Sequence, residues 1–365
     1  MTKPLSCVTQ YFTPTDSTSP KVNNFNIIRF FAAFMVIYGH MSSIMGYAAF
    51  PLFSQRVSTI AVKIFFIVSG YLITKSYLSD SNFGRYMIRR TFRIFPALIV
   101  LVLLTVLVVG PLMTTLPLSE YFANANTWTY FKNLLFSPVY ALPGVLTDAT
   151  YPFAINGSLW TLPVEFAMYL LLPIFVILFK KLGSVKWGMG AMAVITLTAS
   201  ILQITCFPTA SFVVWGNDLF QTLPLLPYFF IGSFFSFPEM KKYFNLQAAI
   251  ALVILASFTL ANAAVMEVVV ALVLPYFILS LALCEKPIFS KWFSKCDFSY
   301  GLYLYGFMIQ QIVYGWLAPY NIPVLPMALI CFAATLIVAI PSWYLVEKNA
   351  QKLGQAWIAR LKAKA

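Results

Sequence analysis

The chain has 365 residues, of which 61% are hydrophobic, 17% aromatic and only 10% charged, and its net charge is +13. Soluble domains average about 25% charged residues, so this composition excludes an ordinary soluble protein. Runs of about 20 apolar residues recur along the whole length, which predicts an all-α, polytopic bundle of transmembrane helices.

The hydropathy pattern divides the chain into a polar start, a long apolar middle and a basic end. Residues 1–24 contain three prolines and lack the apolar segment and cleavage site of a signal peptide, so we expect a mostly disordered cytoplasmic tail. A transmembrane domain is expected over 25–348, and a basic cytoplasmic tail over 349–365. Ten spans are predicted, at 25–46, 57–78, 92–116, 158–180, 187–206, 219–237, 246–262, 264–284, 297–318 and 323–346.

The positions of the basic residues predict the orientation of these spans. When the N-terminus is placed inside, every Lys and Arg except Arg56, Lys63 and Lys132 falls on the cytoplasmic side. Positive residues concentrate in the cytoplasmic loops of membrane proteins, so both termini are predicted to be cytoplasmic. The positive charge is therefore a signal of topology, and we expect no nucleic-acid partner.

The first span carries the only histidine of the chain. His40 follows Arg29 by eleven residues, which places both side chains on one helix face with a rise of about 16 Å between them. That rise is about half the thickness of the hydrocarbon core. An imidazole retained in so apolar a chain points to a functional group rather than to packing.

Two further ionisable residues, Lys63 and Glu165, lie within spans at the same predicted depth as His40. All three fall about 9–10 Å from the outer surface. Buried charges are costly, so the three groups are expected to form a mutually compensating cluster. Two simpler alternatives stay open: Lys63 extends to the outer surface, and Glu165 bonds a neighbouring helix.

Four arginines precede or begin the third span, at Arg85, Arg89, Arg90 and Arg93. The planar guanidinium group suits phosphate, and Arg90 and Arg93 are about one helical turn apart. The alternative is contact with anionic lipid headgroups. The chain thus predicts a phosphate site inside and an acid–base cluster towards the outside. A coenzyme A thioester, with a phosphorylated head and a long reactive arm, would connect two such sites.

The long outer loop and the cysteines each have a simple explanation beside a functional one. The longest outer loop, over about 117–157, is rich in aromatic residues, Pro and Gly, and is either functional or part of an interfacial aromatic belt. The five cysteines have no metal-ligand spacing, and with one histidine in the chain no metal site is expected.

Several motifs resemble those of the acyltransferase-3 family of integral membrane acyltransferases. They follow the family's order and cover nearly the whole chain: RFFAAFMVIYGH at 29–40, KIFFIVSGYLIT at 63–74, RRTFRIFP at 89–96, NGSLWTLPVEFAMYLLLP at 156–173, FSYGLYLYGFMIQQ at 298–311 and WYLVEKN at 343–349. The resemblance makes 25–348 an acyltransferase domain of a bacterial inner membrane. We expect a stand-alone member, without the C-terminal SGNH-type esterase domain that some members carry.

The resemblance implies transfer of an acyl group, usually acetyl, from cytoplasmic acyl-CoA to a hydroxyl of a cell-surface carbohydrate or glycolipid. Such acceptors include O-antigen, capsule and exopolysaccharide sugars. The expected site residues are Arg29, His40 and Glu165 for catalysis, Arg85, Arg89, Arg90 and Arg93 for the acetyl-CoA donor, and Lys63, Trp160 and Tyr169 for substrate binding.

The expected mechanism uses neutral His40 as the base that removes the proton of the acceptor hydroxyl, with Glu165 orienting the imidazole. Two positions depart from the family pattern: Lys63 stands where many members carry Asp, and Gly306 replaces a histidine that some members carry. The alternative functions are a small-molecule or glycolipid transporter that uses an intramembrane His/Lys/Glu relay, and a structural partner in the membrane.

Overall fold

The computed structural model describes residues 24–48, 50–259, 261–284, 293 and 296–363. These residues form an almost entirely helical bundle, so the predicted fold class is confirmed. The expected N-terminal tail lies outside the described residues except for Asn24. That residue is buried, and its side-chain amide donates to the carbonyl oxygen of Leu281 at 2.8 Å.

Eleven helices of ten or more residues make up the described bundle. They are α1 (Phe25–Ile44), α2 (Val57–Ser79), α3 (Phe83–Leu104), α4 (Thr161–Lys181), α5 (Val185–Cys206), α6 (Leu226–Phe235), α7 (Leu246–Ser257), α8 (Ala263–Ala282), α9 (Ser299–Leu317), α10 (Val324–Pro341) and α11 (Lys348–Ala363). Short α-helices lie at Gly110–Met113, Leu118–Ala123, Ala125–Thr129 and Leu219–Thr222. Short 3₁₀ turns lie at Tyr130–Leu135, Gly157–Trp160, Leu223–Leu225, Pro238–Tyr243 and Ala318–Tyr320, and π turns at Thr105–Val109 and Ser342–Glu347.

Two small antiparallel hairpins interrupt the helices. Strand Pro51–Leu52 pairs with Gln55–Arg56, and strand Val213–Val214 pairs with Asn217–Asp218. Each hairpin turns through two residues with positive φ, as the right-handed twist of short hairpins favours. The first hairpin brings Gln55 next to the start of α2.

Each of the ten predicted spans coincides with helical structure, but two boundaries differ clearly. The span expected over 246–262 ends earlier, because α7 ends at Ser257. The third span was expected to begin at residue 92, whereas α3 begins at Phe83. Asn82 caps it, because its side-chain oxygen accepts from the backbone N–H of Arg85 at 2.9 Å. All four clustered arginines therefore lie on one helix.

Seven helical segments of the described residues are long and apolar enough to cross a membrane. They are Phe25–Ile44, Val57–Ser79, Phe83–Met113, Gly157–Lys181, Val185–Cys206, Ala263–Ala282 and Val324–Ala363. The apolar helices over Leu219–Phe235 and Leu246–Ser257 are shorter. α9 is less apolar because it contains several tyrosines and two glutamines. The protein is a polytopic membrane protein, and the number of spans stays a prediction.

Close helix packing at the centre of the bundle depends on two glycines. A Cβ atom on Gly70 of α2 would lie 2.0 Å from the carbonyl oxygen of Phe229 on α6. A Cβ atom on Gly232 of α6 would lie 2.2 Å from the carbonyl oxygen of Ile67 on α2. The two backbones approach this closely only because both positions lack a side chain.

The basic C-terminal segment is part of the bundle over its described length. α10 continues through the π turn Ser342–Glu347 into α11, which packs against α3. Gly354 of α11 lies against Phe92, whose ring meets that of Trp357 edge-on. Residues 349–363 therefore form a helix that packs against α3, and their cytoplasmic location stays a prediction.

Candidate active site

Arg29 and His40 lie on one uninterrupted helix, as their spacing predicts. α1 runs from Phe25 to Ile44, so about 16 Å of rise separates the two residues. It packs against α2, α9 and α10. We call the two ends of the bundle the arginine end and the histidine end, after these residues.

A cavity of about 250 Å³ extends along the bundle from the arginine end. α2 lines it from Ile73 to Val62, which corresponds to a length of about 16 Å. Its polar lining residues are Arg29, Ser69, Arg89, Arg90, Arg93, Thr161, Glu165, Ser299, Gln351 and Gln355. Aromatic and aliphatic side chains line the remainder, so the cavity joins a cationic end to a largely apolar channel.

Asp297, just before α9, holds two of the arginines in place. Its Oδ2 atom lies 2.8 Å from Nη2 of Arg29 and 2.6 Å from Nη2 of Arg93. The hydroxyl of Ser299 donates to its Oδ1 atom at 2.5 Å. Reasoning from the sequence missed Asp297, although it directly precedes the motif that begins at Phe298.

Asp80, between α2 and α3, pairs with the first two arginines of α3. Arg85 donates to both carboxylate oxygens, with Nε 3.0 Å from Oδ2 and Nη2 2.5 Å from Oδ1. Arg89 donates to Oδ2 through Nη1 at 3.0 Å. The hydrogen bonds from Arg85 first, and then those from Arg89, lower the pKa of Asp80 well below its usual range. Arg85 is absent from the cavity lining, and its predicted contact with the donor stays a prediction.

Arg90 differs from the other three arginines of α3. It has no carboxylate partner among the described residues, and it lines the cavity. Its guanidinium carbon lies 5.8 Å from the ring centre of Tyr86 and 5.7 Å from that of Tyr169. Arg90 is therefore the cavity arginine whose charge is free to bind an anion.

Glu165 and Tyr169 lie one turn apart on α4 and line the middle of the cavity. The Tyr169 hydroxyl donates to Oε1 of Glu165, and Ser69 of α2 donates to the same oxygen at 3.4 Å. No hydrogen bond or ion pair between Glu165 and His40 or Lys63 occurs within the described part of the chain. The expected three-residue cluster is thus not formed here, and Glu165 bonds a neighbouring helix instead.

Lys63 is buried in an ion pair with a residue that sequence reasoning overlooked. Its ammonium group lies 2.6 Å from Oε2 of Glu267 and 2.7 Å from Oε1 of Gln55. Tyr228 donates to the other oxygen of Glu267 at 3.0 Å. Lys63 is only 1% exposed, so the alternative that it extends to the surface is wrong. It is not among the residues that line the cavity.

His40 does not line the cavity and lies beyond the end of the cavity that is farther from the arginine end. Its ring meets that of Phe307 on α9 edge-on, with 5.1 Å between the centroids. The imidazole is partly exposed and has no hydrogen-bond partner among the described residues. The ring of Phe307 also meets that of Tyr151 of the long loop edge-on, with 5.8 Å between the centroids.

About one helical turn separates the cavity from His40. On α9, Tyr303 lines the cavity and Phe307 lies four residues further on, a rise of about 6 Å. The ring of Tyr303 packs against Phe65 at 5.6 Å, and its hydroxyl bonds Thr161. These three side chains line the cavity at the end nearest His40.

Hydrogen bonds fasten the long loop to α9. Asn156 donates to the carbonyl oxygen of Leu304 at 2.8 Å, and Ser158 to that of Tyr303 at 3.2 Å. The loop then enters α4 through the turn Gly157–Trp160, so these bonds also position Trp160 and Glu165. Trp160 is half-buried against the core and is absent from the cavity lining.

The described residues contain no group of three or more His, Cys, Asp and Glu side chains placed to hold a metal ion. The site consists instead of a cationic cavity and a lone imidazole inside a helical membrane bundle. Fold and site together define a multi-pass membrane protein with an internal cavity that is cationic at one end.

A family model described as an acyltransferase domain matches residues 22–344. The chain therefore belongs to the acyltransferase 3 family, as its motifs predict, and is an acyltransferase.

Two relatives match over nearly the whole chain, and a third matches over less than half of it. An O-acetyl transferase of Shigella phage Sf6 is 29% identical over 340 residues, covering 90% of this chain and 96% of the relative. Nodulation protein 10 of Rhizobium leguminosarum bv. viciae is 28% identical over 375 residues, covering 93% and 95%. Peptidoglycan O-acetyltransferase OatA of Listeria monocytogenes is 27% identical over 179 residues, covering 44% of this chain and 27% of the relative. No solved structure matches the chain.

Proposed function

We propose that the protein moves an acetyl group from acetyl-CoA to a hydroxyl group of a cell-surface carbohydrate. The observation that carries the proposal is the cavity, which begins among four arginines and ends about one helical turn from His40. The relatives named as O-acetyl transferases support acetyl as the group, and the peptidoglycan enzyme supports a carbohydrate acceptor.

The arginine end would bind the phosphates of the donor. Arg90 supplies a charge without a carboxylate partner among the described residues, and Arg89 lies beside it with only one nitrogen bonded to Asp80. The apolar channel suits the thin pantetheine arm. Glu165 would accept an amide N–H of that arm, since only its Oε1 atom bonds Tyr169 and Ser69.

At the histidine end, His40 would act as the general base. The neutral imidazole takes the proton of the acceptor hydroxyl while the oxygen attacks the carbonyl carbon of the thioester. The new C–O bond forms, the C–S bond breaks, and the thiolate recovers the proton from the imidazolium. Trp160, which directly precedes α4 at this end, would pack against the sugar.

The protein would lie in the bacterial inner membrane with its arginine end in the cytoplasm, where acetyl-CoA is made. The arrangement favours an enzyme over a transporter, because the groups of the supposed relay are separated. Lys63 pairs with Glu267, and Glu165 with Tyr169, rather than with His40.

The role of His40 as the general base is tested by measuring thiol release from acetyl-CoA. The assay uses purified protein in proteoliposomes with surface polysaccharide as acceptor. His40→Ala is expected to lower turnover by about 10²–10⁴-fold, the usual contribution of a general base. Tyr38→Phe, on the same helix, is the matched control and should keep turnover. Near-normal turnover of His40→Ala would show that the base is another group.

The acceptor is identified by mass spectrometry of surface polysaccharide from cells with and without the protein. We expect a difference equal to one acetyl group per modified sugar. Identical masses, together with thiol release to another acceptor, would contradict a polysaccharide substrate.

A further inference from the structure

Several buried N–H groups at the arginine end have no hydrogen-bond partner among the described residues, and three of them lie around one pocket. These three are Nε of Arg29, Nε1 of Trp343 and Nε2 of Gln351. Trp343 is only 7% exposed. Buried donors are almost always paired, so three of them in one place indicate that an acceptor binds there.

The three side chains line one polar chamber of about 290 Å³. Asn26, Arg93 and Asp297 also line it. One water needs roughly 10–15 Å³, so the chamber admits a group much larger than water. It adjoins the donor cavity, because Arg29, Arg93 and Gln351 line both.

The charges of the chamber favour an anion. Two guanidinium groups line the chamber, those of Arg29 and Arg93, and Asp297 is the one carboxylate in the lining, so the lining itself carries an excess positive charge. Glu347 is absent from the lining; its Oε2 atom lies 3.8 Å from Nη1 of Arg93 and supports that side chain from outside the chamber. A ligand that meets three donors and a positive charge carries several acceptor oxygens, as a phosphate monoester does.

We propose that this chamber is a second phosphate subsite, in which Trp343 and Gln351 are binding residues. The proposal rests on the proposed acetyl-CoA donor. Coenzyme A carries two separate phosphate groups, a diphosphate that leads to the arm and a monophosphate on the ribose. The diphosphate would bind at Arg90 in the donor cavity, and the ribose phosphate in the adjoining chamber. The subsite would therefore select coenzyme A over its dephospho form.

The first test measures the KM for acetyl-CoA and for dephospho-acetyl-CoA with the protein in proteoliposomes. The second test measures equilibrium binding of CoA and of dephospho-CoA to the protein in detergent. The protein should prefer the phosphorylated form by roughly 10- to 100-fold, as charged hydrogen bonds predict. Trp343→Phe and Gln351→Leu should each reduce this preference. Lys352→Gln, an exposed neighbour on α11, should keep it.

The preference is the ratio of the KM values, or of the affinities, for the two donors within one variant. A variant that only folds less well reduces the amount of active protein for both donors and leaves this ratio unchanged. Equal KM and equal affinity for both donors in the unaltered protein would overturn the subsite. Arg90→Ala should weaken both donors alike. If Arg90→Ala weakens the binding of both donors while the unaltered protein binds the two donors equally, the proposed function is supported and the second phosphate subsite is refuted. If neither form binds, the donor assignment itself is wrong.

A lipid phosphate is the other source of this chemistry. Vesicles of phosphatidylcholine with and without phosphatidic acid distinguish the two sources. The preference for acetyl-CoA should be the same in both membranes. Its disappearance when phosphatidic acid is added would show that the chamber binds a lipid headgroup.

Discussion

Replacing Lys63 with methionine is expected to destabilise the protein strongly, and replacing Glu267 with glutamine in the same chain should restore most of the loss. The two charged groups lie 2.6 Å apart, and their side chains are only 1% and 3% exposed. At an effective dielectric constant of about 20, their attraction is about 6 kcal/mol. Removing both ions from water costs several kcal/mol each, so the pair contributes little net stability.

A single substitution has a different effect, because it leaves one buried charge uncompensated. The expected cost is about 3–5 kcal/mol for Lys63→Met and for Glu267→Gln alone. At about 2–4 °C per kcal/mol, the midpoint of thermal unfolding should fall by at least roughly 5 °C. Lys132→Met, at an exposed position, is the matched control and should leave the midpoint nearly unchanged.

The assay is thermal unfolding of the purified protein in detergent, followed by intrinsic fluorescence. The reasoning is refuted if the double variant loses as much stability as the two single variants together, since a coupled pair must be non-additive. The double variant also tests the expected role of Lys63 in substrate binding. Unchanged KM and turnover would exclude that role.

Three further outcomes are expected. Arg90→Ala should raise the KM for acetyl-CoA by about 10-fold or more. Arg85→Ala should raise it less, because the guanidinium of Arg85 is hydrogen-bonded to Asp80. Equal effects of the two substitutions in the transfer assay would contradict the different roles of these arginines. Gly70→Val should abolish the yield of monodisperse protein in detergent, because its Cβ would lie 2.0 Å from a carbonyl oxygen, while Gly315→Ala, with open space around it, should not; normal yield of the first would contradict the packing. The lowered pKa of Asp80 adds stability that is present above the ordinary carboxyl pKa of about 3.9 and is lost progressively as the pH falls from there towards the lowered pKa. Asp80→Asn should therefore flatten the dependence of the unfolding midpoint on pH between about 5 and 3, and an unchanged slope would refute the assignment.

Much of the architecture follows from local pattern. Hydropathy places a helix at every predicted span, because a helix that faces lipid must be apolar over about 20 residues. The spacing of Arg29 and His40 predicts a shared helix, which α1 confirms. The start of α3 was missed because its first turns are basic rather than apolar. Its signal is Asn82, a residue that favours the N-cap position.

The partners of the charged residues were harder to predict. Glu165 and Lys63 fall at similar predicted depths, yet each bonds a different helix. Glu267 is visible in the sequence as a carboxylate inside the predicted span 264–284, and a search for every ionisable residue in a span would have found it. Depth alone does not decide pairing, since it leaves the order of the helices around the bundle undetermined.

The membrane class, the helices, the family motifs and the candidate residues are predictable from the amino-acid sequence, because they depend on composition and on spacing along single segments. Three other features became visible only in the folded bundle: which arginine is free, which carboxylate holds Arg29 with Arg93, and how far the cavity lies from His40. The tertiary structure also placed Trp343 and Gln351 beside those arginines. The physical reason is that these relations join helices far apart in the chain, and their contacts depend on how side chains pack across the bundle.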